Sequence, residues 1–415
     1  MRHLTTLAIL LATTSLASAA SNESFILQAG KKNNAVVGQI NGNNAQATVQ
    51  VGKGNQSITA QKSTGDTNKS ATFEFGNNNV STVGQLGGNN GQTTLQVGNN
   101  NNAAALQNND TANKNASFTG QFGNGNNAVV GQAGGSNTQS TLQFGKGKDA
   151  DNLATTGQLT GTNGGQNNSA TVQAGAGNVS TVSQNTAGAD SGKKPGEGGT
   201  NNQLSLQFGH DNTATTDQNS IGSGSKSTAV SGVQNDALTL QVGTGNIATT
   251  KQKGSNSGQD ANQTTNASLT AQFGQDNTSS AKQVNGNNLQ GTVQIGSDNS
   301  AVTKQKNADS GNGTNASLTF EAGSGNTAIT RQKIADPLNS GLNGSLIAQV
   351  GKNNTALAHQ NDTGLQPMIG ANLQSTVQVG NGNSATTMQT ASASVSNASV
   401  TAQFGSHNTA VVSQH

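Results

Sequence analysis

Residues 50–61 read Gln50-Val51-Gly52-Lys53-Gly54-Asn55-Gln56-Ser57-Ile58-Thr59-Ala60-Gln61. Reduced to Gln-x-Gly-x-x-Asn-x-(Ala/Ser)-x-x-x-Gln, the stretch recurs fifteen times. It opens at Gln28, Gln50, Glu74, Gln96, Gln121, Gln143, Gln173, Gln207, Gln241, Gln272, Gln294, Glu321, Gln349, Gln378 and Gln403. In fourteen copies the Gly, Asn, small residue and closing Gln keep their offsets; in the copy at Gln143 an insertion delays them to Asn152, Ala154 and Gln158. A period this regular decides the architecture before any local propensity does.

Each copy has two short arms, as in Ala47-Thr48-Val49-Gln50-Val51 and Asn126-Asn127-Ala128-Val129-Val130-Gly131-Gln132. Both alternate and are rich in β-branched residues, the pattern of strands. Gly-x-x-Asn between them is a turn signal, because Gly accepts backbone angles that other residues resist and Asn tolerates them next best. The unit therefore reads strand–turn–strand. The expected fold is all-β: a β-solenoid of about fifteen such repeats with in-register Gln and Asn ladders, in which side-chain amides bond from rung to rung.

Alternation assigns the faces. The opening Gln shares a face with the residue two before it, usually Thr or Ser, while Val, Leu, Ile or Phe occupy the other. The Gln, Asn, Ala and Gly columns are expected inside. In the first two copies these are Gln28, Gly30, Asn33, Ala35 and Gln39, then Gln50, Gly52, Asn55 and Gln61. Further along they are Gln121, Gly123, Asn126, Ala128 and Gln132, and in the last copy Gln403, Gly405, Asn408, Ala410 and Gln414. The aliphatic face of the first arm lies outside, free for lateral contacts, or the first arm is turned over.

Composition agrees with a ladder-filled stack. Among 415 residues only 30% are hydrophobic and 2% aromatic, too few for conventional cores. Disorder normally comes with high charge, yet charged residues are 9% and the net charge is +2. That balance gives no general attraction to nucleic acid. With no Cys, neither a disulfide nor a thiolate metal site can form. The histidines share no common offset, and the Gly-x-Gly pieces lack a strand–loop–helix setting. Neither an enzyme nor a cofactor is expected.

Residues 1–20, MRHLTTLAILLATTSLASAA, have a basic start, a short apolar run and a small-residue end, and read as a secretory signal peptide. Residues 21–415 form the repeat array, read as one domain with no further membrane span. Its Gly/Pro/Lys-rich insert at 185–202 is the best candidate for an internal break, and other inserts separate later repeats. Pro195, Pro337 and Pro367 all fall between repeats, as a hydrogen-bonded ladder requires.

The pattern resembles the curlin repeat of curli, the functional amyloid fibres of bacterial biofilms. Residues 116–132, Ala-Ser-Phe-Thr-Gly-Gln-Phe-Gly-Asn-Gly-Asn-Asn-Ala-Val-Val-Gly-Gln, are a clear copy, and the resemblance covers nearly all of residues 21–415. It departs in having many more copies than the familiar subunits, and mostly Thr, where they favour aliphatic residues, two before the Gln. The resemblance implies a secreted, cell-surface subunit that polymerises with itself and with other curlin-type subunits into adhesive extracellular fibres (pili). Neither end shows a cap, so end-to-end strand addition is expected. The alternative is a monomeric binding module, a surface adhesin or an ice- or polysaccharide-binding solenoid, presenting a Thr/Asn face.

One column of charge stands apart. Lys251, Lys282, Lys304, Arg331 and His359 precede the closing Gln in five consecutive repeats, after Asp217. Alternation puts them outside. They form either a solvated face that guards against lateral aggregation or a basic stripe for anionic matrix polymers, polysaccharide or DNA.

Overall fold

In a computed structural model the described residues are 22–63, 66–109, 114–145, 151–161, 165–188, 199–222, 233–256, 265–308, 313–335, 341–363, 370–392 and 395–415. The expected signal peptide and the three prolines lie outside them, as does most of the 185–202 insert. Thirty strands, β1 to β30 in chain order, give two per repeat, and no helix occurs among the described residues. Odd-numbered strands are first arms, even-numbered ones second arms. The chain is a β-solenoid of parallel sheets, with one odd-numbered and one even-numbered strand for each repeat copy. It divides into two compact units, Met1–Ser183 with Phe208–His210, and Gln184–Gln207 with Asp211–His415. The division falls beside the 185–202 insert.

In the first unit, β1 (Glu23–Lys31) pairs in parallel with β3 (Asn43–Lys53), which pairs with β5 (Thr67–Asn77); β2 (Asn34–Ile40) pairs with β4 (Gln56–Lys62). Odd strands thus build one sheet and even strands the other. Register follows the motif: Gln28 lies beside Gln50, Gly30 beside Gly52 and Gln39 beside Gln61. The insertion after Gly145 does not shift it, since Gln132 still pairs with Gln158 and Gln143 with Gln173. The second unit repeats the plan, with Gln241 beside Gln272 and Gln252 beside Gln283.

Alternation holds, and the core is polar. Thr48, Gln50, Asn55, Ser57 and Gln61 are buried, while Val97, Phe144, Val242 and Ile295 are exposed. The aliphatic face of the first arm is therefore outside, except in β3, where Ala45, Ala47 and Val49 on that face are buried as well. The gap between the sheets explains why. Thr48 Oγ1 is 3.3 Å from Ser57 Oγ, and Thr171 Oγ1 is 3.4 Å from Ser180 Oγ, so the two inner faces meet through small side chains. Leu or Phe does not fit between them. Ile347 occupies a Thr position inside the first arm, against Ala328, Ala356 and Ala358, and Val83, Val130 and Val182 are buried in second arms.

The turn differs from its sequence reading in two respects. The Gly column is at the corner and not in the core: Gly52 has φ +132 and is only half-buried. The second left-handed residue is the one before the motif Asn and not the Asn itself, as at Lys32 (φ 58), Gly54 (φ 70) and Asp276 (φ 53). The Asn side chain turns inward instead, where Asn55 Nδ2 donates to Gly76 O at 2.9 Å.

Candidate functional site: amide ladders, end rungs and a cationic face

The ladders have direction. Within the stack a Gln typically donates from Nε2 to a backbone carbonyl of the opposite arm and to Oε1 of the next Gln along the column. Gln121 Nε2 lies 2.9 Å from Asn102 O and 2.8 Å from Gln143 Oε1. Gln132 Nε2 lies 3.0 Å from Ala116 O and 2.8 Å from Gln158 Oε1. The Asn ladder runs the other way: Asn126 Nδ2 donates back to Asn101 Oδ1 at 3.0 Å, and its backbone N–H donates to the same oxygen at 3.2 Å.

Sequence reasoning missed a second Asn column. It stands six residues before every opening Gln or Glu, from Asn22 to Asn397. Asn68 Nδ2 donates to Asn44 Oδ1 at 3.1 Å, and Asn288 Nδ2 to Asn266 Oδ1 at 2.7 Å. The fixed offset was the available signal, masked by the abundance of Asn in the polar spacers beside it.

Two rungs carry Glu in the Gln column. Glu74 Oε2 accepts from Gln50 Nε2 at 2.6 Å, and Glu321 Oε2 from Gln294 Nε2 at 2.7 Å. Their Oε1 atoms stand where glutamine carries its donor, and both lack a partner. So do the next acceptors along the column, Gln96 Oε1 and Gln349 Oε1. Burial pushes both carboxyls up to about 8, against the opposing pull of the Gln50 amide on one, and of the Gln294 amide and the Ala328 N–H on the other.

The predicted columns meet as expected in the interior, where Gln50, Asn55, Gln61, Gln121, Asn126, Ala128 and Gln132 are all buried. The end rungs differ, because one side of each is open among the described residues. Gln28 is exposed, and Asn33, Ala35 and Gln39 are half-buried. At the other end, in β29 (Ser396–Ser406) and β30 (Thr409–Gln414), Asn408 is exposed, and Ala410 and Gln414 are half-buried. Val400, Phe404 and Val411 are 81%, 69% and 68% exposed, far more than their counterparts within the stack. Among the described residues no side chain donates to Gln28 Oε1 or Gln39 Oε1. Gln403 and Gln414 keep their bonds to Ser384 O and Ala398 O, at 3.0 and 2.9 Å, and no further rung follows among the described residues. One face thus ends in Gln acceptors and the other in Gln donors.

The basic stripe is also as expected, and broader. In the second unit Asp217, Lys251, Lys282, Lys304, Arg331 and His359 stand in register on successive second arms, all exposed. Lys253, Lys306 and Lys333 form a parallel column two residues on, missed although the same alternation places them there. Together they line an open groove of about 600 Å³.

The chain matches no known protein-family model and no curated protein. No group of three or more His, Cys, Asp or Glu residues able to hold a metal ion occurs among the described residues, and no helix there is long and apolar enough to cross a membrane.

Proposed function

We propose that the chain is a structural subunit of an extracellular, curli-like amyloid fibre of a bacterial surface, which grows end to end by strand addition. The observation that carries this reading is the pair of unfinished rungs among the described residues: Gln acceptors at exposed Gln28 and half-buried Gln39, and unextended Gln donors at Gln403 and Gln414. Because the motif repeats in register, the last rung of one copy offers the first rung of the next the same bonds that join neighbouring rungs inside it. Parallel strands stacked this way leave no backbone group unpaired along a fibre. The partner is a second copy, or another subunit with the same repeat. A binding module displaying Thr loses its support, since Thr48, Thr94, Thr239, Thr292 and Thr376 are all buried.

Seeded assembly tests the proposal. The chain without its first twenty residues is followed by an amyloid dye, with and without sonicated fragments of its own aggregate. Self-seeds should shorten or abolish the lag. A lag indifferent to self-seeds, or a chain that stays monomeric at high concentration, would overturn the reading.

A further inference from the structure

Four neighbouring second arms of the second unit, β18 (Ile247–Asn256), β20 (Thr278–Val284), β22 (Ser300–Lys306) and β24 (Thr327–Ile334), carry seven cations on one outward face. They are Lys251 and Lys253, Lys282, Lys304 and Lys306, and Arg331 and Lys333, out of 20 Lys and Arg in the whole chain. Parallel register stacks like on like at roughly 4.8 Å, the rung spacing of a sheet. Cations directly beside one another repel, so the arrangement costs stability in the free chain. Among the described residues, the carboxylates before these rungs, Asp276 and Asp298, lie at the turns, six residues before Lys282 and Lys304, or about 20 Å along the strand. Asp217 adjoins only the first rung, opposite Lys251.

We infer that this face binds a linear acidic polysaccharide, laid along the columns with its carboxylates over successive rungs. Three features select that ligand. The groove is open and lies along the stacking direction, so it suits an extended chain. Six of the seven cations are Lys, compact point charges suited to a ligand held by charge along its length, and only Arg331 offers the planar fork that grips one carboxylate or phosphate in two bonds. The outward residues of these arms include no aromatic, and the chain has no Trp or Tyr, so bases find no stacking platform. The inference holds for a single chain and does not depend on polymerisation.

Binding is measured on the chain without its first twenty residues, with polygalacturonate, dextran and a single-stranded DNA of matched charge as probes. Polygalacturonate should bind, dextran should not, and affinity should fall at least about tenfold between about 50 and about 200 mM salt. Replacing Lys282, Lys304 and Arg331 together by Gln should weaken binding by about tenfold or more, since three of seven contacts are lost. Replacing Lys31, Lys53 and Lys62 by Gln, an equal charge loss in the first unit, should change it less than about twofold. If the first variant does not fold, Lys253→Gln with Lys306→Gln and Lys333→Gln removes the adjoining column with the same expectation. Equal losses in the control variant, DNA binding as tight as polygalacturonate, or no binding of polygalacturonate would each overturn the inference.

Discussion

Glu74 and Glu321 stand where glutamine stands in the other repeats, and each breaks the ladder unless it carries a proton. A proton on Oε1 supplies the donor that Gln96 Oε1 and Gln349 Oε1 lack. Folding raises these carboxyls from 4.5 to about 8, so between those values the folded chain holds more protons than the unfolded one. Their stabilisation is whole below the unfolded value and is lost as pH rises through about 8. The loss is on the order of several kcal/mol per site. Urea midpoints taken from about pH 5 to about pH 9 should therefore fall with rising pH. The fall should be much smaller in Glu74→Gln with Glu321→Gln, and parallel curves for the two proteins would contradict the assignment. Gly52 gives a second prediction at this scale. A Cβ there would overlap the carbonyl oxygen of Gly76, at φ +132. Gly52→Ala should cost on the order of 3 kcal/mol, seen as faster amide exchange in β3 and β5. Both sites were visible as repeat positions. Their protonation and crowding were not, because each depends on the neighbouring rung and not on the chain beside it.

At the scale of the rung, one Asn holds several groups. Asn277 donates to Asn246 Oδ1 at 3.0 Å and to Gly296 O at 2.9 Å, and it accepts the N–H of Asn299 at 3.2 Å. Asn277→Ala leaves buried partners unmade and should cost about 3 kcal/mol or more, read as lost exchange protection on three successive rungs. Ile347→Ala should cost about 2–4 kcal/mol through the cavity it opens, measured as a lower urea midpoint. Strand, turn and inward Gln were legible from the alternation around Gln50 and Gln121. The outer position of Val97 and Phe144 was not, because alternation separates two faces without saying which one closes. The narrow gap spanned by Thr and Ser hydroxyls decides it. The left-handed residue before the motif Asn was also missed. Its position is Gly, Asn or Asp in most copies but Lys32 and His407 in others, so the type varies while the backbone angle does not.

At the scale of the whole molecule, growth depends on donors at one open face meeting acceptors at the other. Gln403→Glu with Gln414→Glu replaces both donors on the final rung by acceptors. At neutral pH it should slow self-seeded elongation by about tenfold or more, from two lost hydrogen bonds and the charge added beside the incoming rung. Each substitution also removes a bond within the chain, to Ser384 O or Ala398 O, so the elongation rates are compared at matched strand content by circular dichroism. The measurement that bears most directly on the fibre is X-ray diffraction from the aligned product of seeded assembly. Rungs continuing from one chain into the next predict a sharp meridional reflection at about 4.7–4.8 Å. An aligned product without that reflection, or no ordered product from seeded chains, would contradict end-to-end strand addition.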